Sequence, residues 1–203
     1  MLIVISYPTA LKNEADIINQ LFDEGLELLH LRKPNYSELE LKQLIHSINP
    51  AHYSKLVFHQ YHYLAKIYGS DRLHYPALNR KKISTDNLSE TKKSGTLLST
   101  SVHSIDEFEN LPTAFNYAFL SPVFDSISKK NYKAVDFKQE LKTIKKQTTK
   151  LIALGGITKL NCTEPLSWGF DGVAVLGSVW ESKNPIEEFV ALKKELKKCE
   201  ILF

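Results

Sequence analysis

A chain of 203 residues sets one domain as the default and is long enough to bury a full core. Its 43% hydrophobic and 24% charged residues are those of an ordinary globular protein, and a formal charge of +3 is too small and too scattered to indicate nucleic-acid binding. The two cysteines, Cys162 and Cys199, make neither a disulfide framework nor a metal motif, and no apolar run approaches the length of a membrane span.

The chain opens on a short apolar strand, Leu2 to Ser6, with neither the basic flank nor the cleavage region of a leader. Reduced thiols fit a cytoplasmic protein. Asn13 is placed to cap a helix whose face is Ile17, Ile18, Leu21 and Phe22, ended by Gly25. Leu26 to Leu31 is a second strand. Ser37 with Glu40 forms a capping box before Leu41, Leu44, Ile45 and Ile48, which keep helical spacing until Pro50. Lys55 to Gln60 is a third strand, and a brief helix over Leu64 to Tyr68 ends at Gly69. Arg72 to Tyr75 is a fourth strand. Residues 77 to 94 are the least periodic part, expected to be a long loop with one turn of helix.

Thr96 to Ser101 is a fifth strand, followed by a second capping box, Ser104 with Glu107, and a short helix that Pro112 stops. Tyr117 to Ser121 is a sixth. It runs into a loop carrying Ser126, Ser128 and Lys129, whose hydroxyls and ammonium suit an anion. A basic amphipathic helix follows, from about Asp136 to Thr148, with Phe137, Leu141 and Ile144 on one face. Lys150 to Leu154 and Gly172 to Leu176 are the seventh and eighth strands. Asn184, Pro185 and Glu187 start the last helix.

Eight strands alternating with helices point to a parallel sheet, either an open doubly wound sheet or a closed (β/α)8 TIM barrel. No G-x-G-x-x-G follows the first strand, which weakens the dinucleotide-binding sheet. Eight units and the Gly155-Gly156 pair after the seventh strand favour a compact single-domain barrel over residues 1–203. Such barrels commonly bind phosphate near the ends of strands seven and eight.

In a barrel the working residues stand at the C-terminal strand ends. Alternation puts His30 and Arg32 on one face and Leu29 and Leu31 on the other, so His30 and Arg32 are expected to point into the mouth. Strand three ends in His59-Gln60. Strand four ends in His74-Tyr75, with Asn79 just beyond. Strand five ends in Ser99-Thr100-Ser101. No signature places a base beside these serines, which does not support a serine nucleophile. Gly155, Gly156, Gly177 and Ser178 give small-residue ends where backbone donors can face an anion.

Leu31-Arg32-Lys33, Ser99 to Ser104, Leu120 to Phe124 with Ser126, Ser128 and Lys129, Ala153 to Ile157, and Gly169 to Val175 occur in one order and spacing. Together they resemble the thiamine phosphate synthase family, which includes the thiazole tautomerase (TenI) branch. The resemblance covers essentially the whole chain. It implies a barrel that joins hydroxymethylpyrimidine pyrophosphate to a thiazole phosphate with loss of pyrophosphate. A pyrimidine carbocation is captured by the thiazole nitrogen. By position, Arg32 and Lys129 hold pyrophosphate, with Lys33 and Ser101 beside it and Ser126 and Ser128 in the place of threonines. Gly155, Gly156, Gly177 and Ser178 cradle the thiazole phosphate. His30 and His59 are the acid/base candidates.

The family binds Mg2+ through two acidic residues, and the matching positions here are Gln60 and Asn79. Both are neutral, and Mg2+ prefers hard anionic oxygens, so the sequence predicts a weakened Mg2+ site. The tautomerase branch needs no metal, but its histidine position is Pro122 here, leaving His30, His59 or His74 to substitute. A non-catalytic phosphate-ligand binding protein is a third reading. The expected partners are the small-molecule substrates, with no nucleic acid and no membrane, and the sequence permits a homo-oligomer.

Overall fold

The computed structural model describes residues 1–125, 134–144 and 148–200, with side chains to 198. Strands β1 (Leu2–Ile5), β2 (Leu28–Leu31), β3 (Leu56–Phe58), β4 (Arg72–Tyr75), β5 (Leu97–Val102), β6 (Tyr117–Leu120), β7 (Lys150–Leu154) and β8 (Gly172–Val175) pair in parallel. They follow in sequence order, and β1 pairs with β8, so the sheet closes on itself as a (β/α)8 barrel.

The closed sheet separates two apolar layers because side chains alternate along each strand. Inward-facing Ile3, Ile5, Leu28, Val57, Phe119 and Ile152 fill the barrel. Outward-facing Val4, Leu29, Leu31, Phe58 and Leu120 pack beneath the helices, against residues such as Ile18, Leu21, Leu41 and Phe189. Each fully buried side chain of this kind contributes about 1.5–3 kcal/mol.

The helices over the first half are α1 (Glu14–Asp23), α2 (Glu38–His46), α3 (Tyr63–Ile67), α4 (Ala77–Arg80), α5 (Thr85–Lys93) and α6 (Ile105–Glu109). The second half adds α7 (Lys138–Leu141), α8 (Glu164–Ser167), α9 (Gly177–Trp180) and α10 (Pro185–Glu200). The Ser37–Glu40 capping box forms as expected. Asn184 Oδ1 accepts from the N–H groups of Ile186 and Glu187 at the start of α10. Trp180 Nε1 donates to Ile5 O at 2.7 Å, pinning α9 over the seam between β8 and β1.

Several local expectations are corrected. Asn13 precedes α1 in the left-handed region, at φ 58°, and its side chain makes no cap; its carbonyl receives Ile17 N–H instead. At α6, Ser104 accepts from Glu107 N–H, but the Glu107 carboxylate reaches His103 N–H rather than Ser104, so the second box is half a box. The stretch from 77 to 94 is not a loop but α4 and α5. Leu88 is the one buried residue of α5, so the helix shows no apolar periodicity; the Ser84 cap begins it and Gly95, at φ 89°, ends it. The basic helix expected over 136–148 is described only as α7, with Phe137 and Leu141 buried; 145–147 lie outside the described residues.

Candidate active site

A cavity of about 640 Å3 opens at the C-terminal ends of the strands. It is within the usual size range of small-molecule sites. Arg32 enters it from the end of β2, Ser101 from β5, Gly155 and Gly156 from β7, and Gly177 and Ser178 from the start of α9. Pro76 to Asn79, mostly on α4, form part of the wall. Its floor includes Ile5 and Ala174 of the barrel interior.

Arg32 is set in place by its own backbone. Its N–H donates to Ser6 Oγ at 2.9 Å, and Ser6 Oγ donates to Arg32 O at 3.3 Å, which locks the ends of β1 and β2 together. Burial lowers the guanidinium pKa from its usual value, and it stays a cation at neutral pH. Ser178 Oγ, also in the cavity lining, is buried without a hydrogen-bond partner among the described residues. A buried hydroxyl left in that condition costs about 1–3 kcal/mol until a ligand satisfies it.

The two glycines after β7 are fixed by a close neighbour. A Cβ on Gly156, at φ 63°, would stand 2.3 Å from Asp125 O and 2.7 Å from Phe124 Cβ. A Cβ on Gly155, at φ 103°, would stand 3.0 Å from Pro122 Cα. Phe124 N–H donates to Gly155 O, and Val123 N–H to Leu154 O. Small residues here let the chain after β6 lie flat on the end of β7 and form a continuous rim.

Beneath the cavity lies a polar cluster inside the barrel. His30 is fully buried; its Nδ1 pairs with His59 Nε2 at 2.9 Å and its Nε2 with Tyr117 Oη at 2.7 Å. The His59 ring stacks on His74, centroids 4.1 Å apart. His74 pairs through Nδ1 with Ser99 Oγ at 3.0 Å and through Nε2 with Ser101 Oγ at 3.1 Å. Ser101 therefore joins the cluster to the cavity. Burial pushes the imidazoles of His30 and His59 well below their usual pKa and that of His74 down to about 3, so all three are neutral at pH 7. So weak a base does not activate Ser101 as a nucleophile.

The cavity thus gathers Arg32, Ser101, Gly155, Gly156, Gly177 and Ser178, along with Asn79. Other expected residues stand elsewhere. His30 and His59 face inward but lie below the cavity rather than on its wall. Lys33 was expected at a phosphate and is instead fully buried on the opposite side of the strand from Arg32. Its Nζ donates to Thr9 O at 2.8 Å and to Glu14 Oε2, because the next residue along a strand points the other way. Gln60 Nε2 donates to Lys33 O at 2.7 Å, with Tyr36 O at 3.4 Å, which ties down the loop after β2 and turns the amide away from a ligand. Ser126, Ser128 and Lys129 lie outside the described residues.

The cavity also holds one histidine to which the sequence reading gives no role. His103 lines the wall and donates from Nδ1 to Ser121 O at 3.1 Å. Its signal was its spacing of two from Ser101, which continues the inward face past the end of β5.

No carboxylate lines the cavity among the described residues. Of the two positions that the resemblance implies as metal ligands, Asn79 brings a neutral amide to the cavity and Gln60 is not in its lining. That donor set does not fit Mg2+, which takes hard, mostly anionic oxygens.

A family model described as thiamine monophosphate synthase matches residues 1–179. A thiamine-phosphate synthase of Listeria monocytogenes is 34% identical over 88 residues, 41% of each chain. Another, of Rhizobium etli, is 27% identical over 179 residues, covering 85% of this chain and 86% of the relative. The match thus spans about two fifths of the length of the first curated relatives (41% and 38%) and most of the Rhizobium protein. Among solved structures, a thiamine phosphate pyrophosphorylase from Bacteroides thetaiotaomicron superposes with a TM-score of 0.74 at 30% identity over 97% of both chains. One from Pyrococcus furiosus gives the same TM-score at 19% identity, covering 97% of this chain and 95% of its own, and at that identity shows the fold alone.

Proposed function

Because the chain belongs to the thiamine monophosphate synthase family, we propose that it joins hydroxymethylpyrimidine pyrophosphate to a thiazole phosphate. The bond from the pyrimidine methylene carbon to the bridging oxygen breaks, and its electron pair leaves with pyrophosphate. The thiazole nitrogen lone pair forms the new C–N bond. Both substrates are phosphorylated small molecules, and we place the reaction in the cytoplasm.

What carries this reading is the convergence of Arg32, Ser101, Gly156 and Ser178, from four separate strand ends, on one cavity. Arg32 faces the charge that grows on the leaving pyrophosphate. In a half-buried site a fixed cation stabilises that charge more than water-exposed lysines would. Ser101, oriented by His74, offers a hydroxyl to the same group. Ser178 and the glycine rim take the thiazole monophosphate, which satisfies the orphaned hydroxyl. Lys129 is assigned to pyrophosphate by its place in the sequence motif. With Gln60 and Asn79 in place of the family's acids, magnesium held by protein ligands has no part in this account.

One observation favours a second reading, a tautomerase-like proton transfer on a thiazole carboxylate phosphate. His103 stands in the cavity wall, whereas His30, His59 and His74 do not.

Incubation with both substrates and mass spectrometry of the products separates the readings. Thiamine phosphate and pyrophosphate in equal amounts establish transfer. Isomerised thiazole without coupling selects the tautomerase. Micromolar binding of thiazole phosphate without turnover leaves a non-catalytic binding protein.

A further inference from the structure

We propose that His30, His59 and His74 together form a binding site for one divalent transition metal of the zinc class. The three residues come from adjacent strands, β2, the end of β3 and β4. One ring nitrogen from each lies within 4.8 Å of the others. His30 and His74 are buried, His59 is 8% exposed, and no carboxylate belongs to the group. Three neutral imidazoles are a donor set for zinc, cobalt or nickel and a poor one for magnesium. The cluster therefore lies under a cavity whose own donors do not suit a hard cation.

The surroundings fit a metal site as well. A ligating histidine usually has its second nitrogen held by a neighbour, which fixes the ring. Here Tyr117 Oη holds His30 Nε2 at 2.7 Å, and Ser99 Oγ holds His74 Nδ1 at 3.0 Å. His30 Nδ1 and His59 Nε2 already face each other at 2.9 Å. Nitrogens on a tetrahedral zinc are about 3.3 Å apart, given bonds of about 2.0–2.1 Å. The close pair opens by a few tenths of an ångström, and the widest separation closes by ring rotation. The proton now shared between His30 and His59 moves to the outer nitrogen of the ring that carries it, so no proton need be lost. With Ser99 holding Nδ1, His74 is left with Nε2 for the metal, and binding would release that nitrogen from Ser101 Oγ, now at 3.1 Å.

The test needs no substrate, so it stands or falls apart from the proposed transfer. The metal-free full chain is titrated with Zn2+ and followed by long-range 1H–15N spectra of its seven histidines. We expect saturation at one equivalent, with His30, His59 and His74 shifting and His46, His52, His62 and His103 unmoved. Co2+ should give the visible bands of a nitrogen-ligated tetrahedral ion. Zn2+ should raise the melting temperature, and Mg2+ should not. His59→Asn, at the least buried of the three, should weaken Zn2+ at least tenfold while circular dichroism stays native. Zn2+ that shifts only other histidines, or that binds His59→Asn as tightly as the wild type, overturns the proposal. The wild-type spectra decide the matter even if the variant fails to fold.

Discussion

His30 Nδ1 lies 2.9 Å from His59 Nε2 in the interior of the barrel, and His74 stacks on His59 from the next strand. The folded state holds all three rings neutral because burial penalises the imidazolium. The sign of the pH dependence follows. Each folded pKa lies below the unfolded value near 6.5, so acid protonates the unfolded chain first. Stability is complete above about pH 6.5 and is lost as pH falls toward 3. With His74 at about 3, that residue alone removes about 2 kcal/mol between pH 7.5 and pH 5. Urea unfolding of the metal-free protein at the two values measures the loss, and His74→Gln should make it smaller, with His30 and His59 still contributing. An unchanged midpoint would contradict the buried neutral cluster.

Arg32 and Lys33 are consecutive cations with different duties. Arg32→Ala should lower kcat/KM for the pyrophosphate substrate about tenfold to hundredfold, the worth of one or two charge-assisted hydrogen bonds, with little change in melting temperature. Lys33→Met should do the reverse. It strands the buried Glu14 carboxylate and should cost about 3 kcal/mol in chemical denaturation. Equal stability losses in both variants would refute the division of labour.

The barrel and its order of strands were readable because alternation in short apolar runs and the glycine, proline and capping residues between them all agree. The placement of Arg32 followed from the same alternation. The same rule, applied one residue further, would have excluded Lys33 from the mouth. Helix α5 was hidden because its single buried residue, Leu88, leaves no pattern. The pairing of His74 with Ser101 was hidden for another reason. It joins neighbouring strands 27 residues apart in the chain, and only their register brings the two side chains together.

Two glycines of similar backbone geometry should respond differently to alanine. Gly69, at φ 70°, has no atom within 4 Å of the point where a methyl group would stand, so Gly69→Ala should cost only about 1 kcal/mol of backbone strain. Gly156→Ala would drive a methyl against Asp125 O and Phe124, lifting the loop after β6 off the rim. A loss of about 3 kcal/mol or more and at least tenfold weaker thiazole phosphate binding are expected, by thermal melts and calorimetry. Equal effects at the two sites would show that the rim contact carries no weight.

The most direct test is a crystal soaked with thiazole phosphate and pyrophosphate. The monophosphate should lie within hydrogen-bond distance of Ser178 Oγ and the Gly156 or Gly177 amide, and pyrophosphate should contact the Arg32 guanidinium in the same cavity. Density for either anion outside this cavity, with Arg32 and Ser178 both unliganded at saturating concentration, would contradict the account.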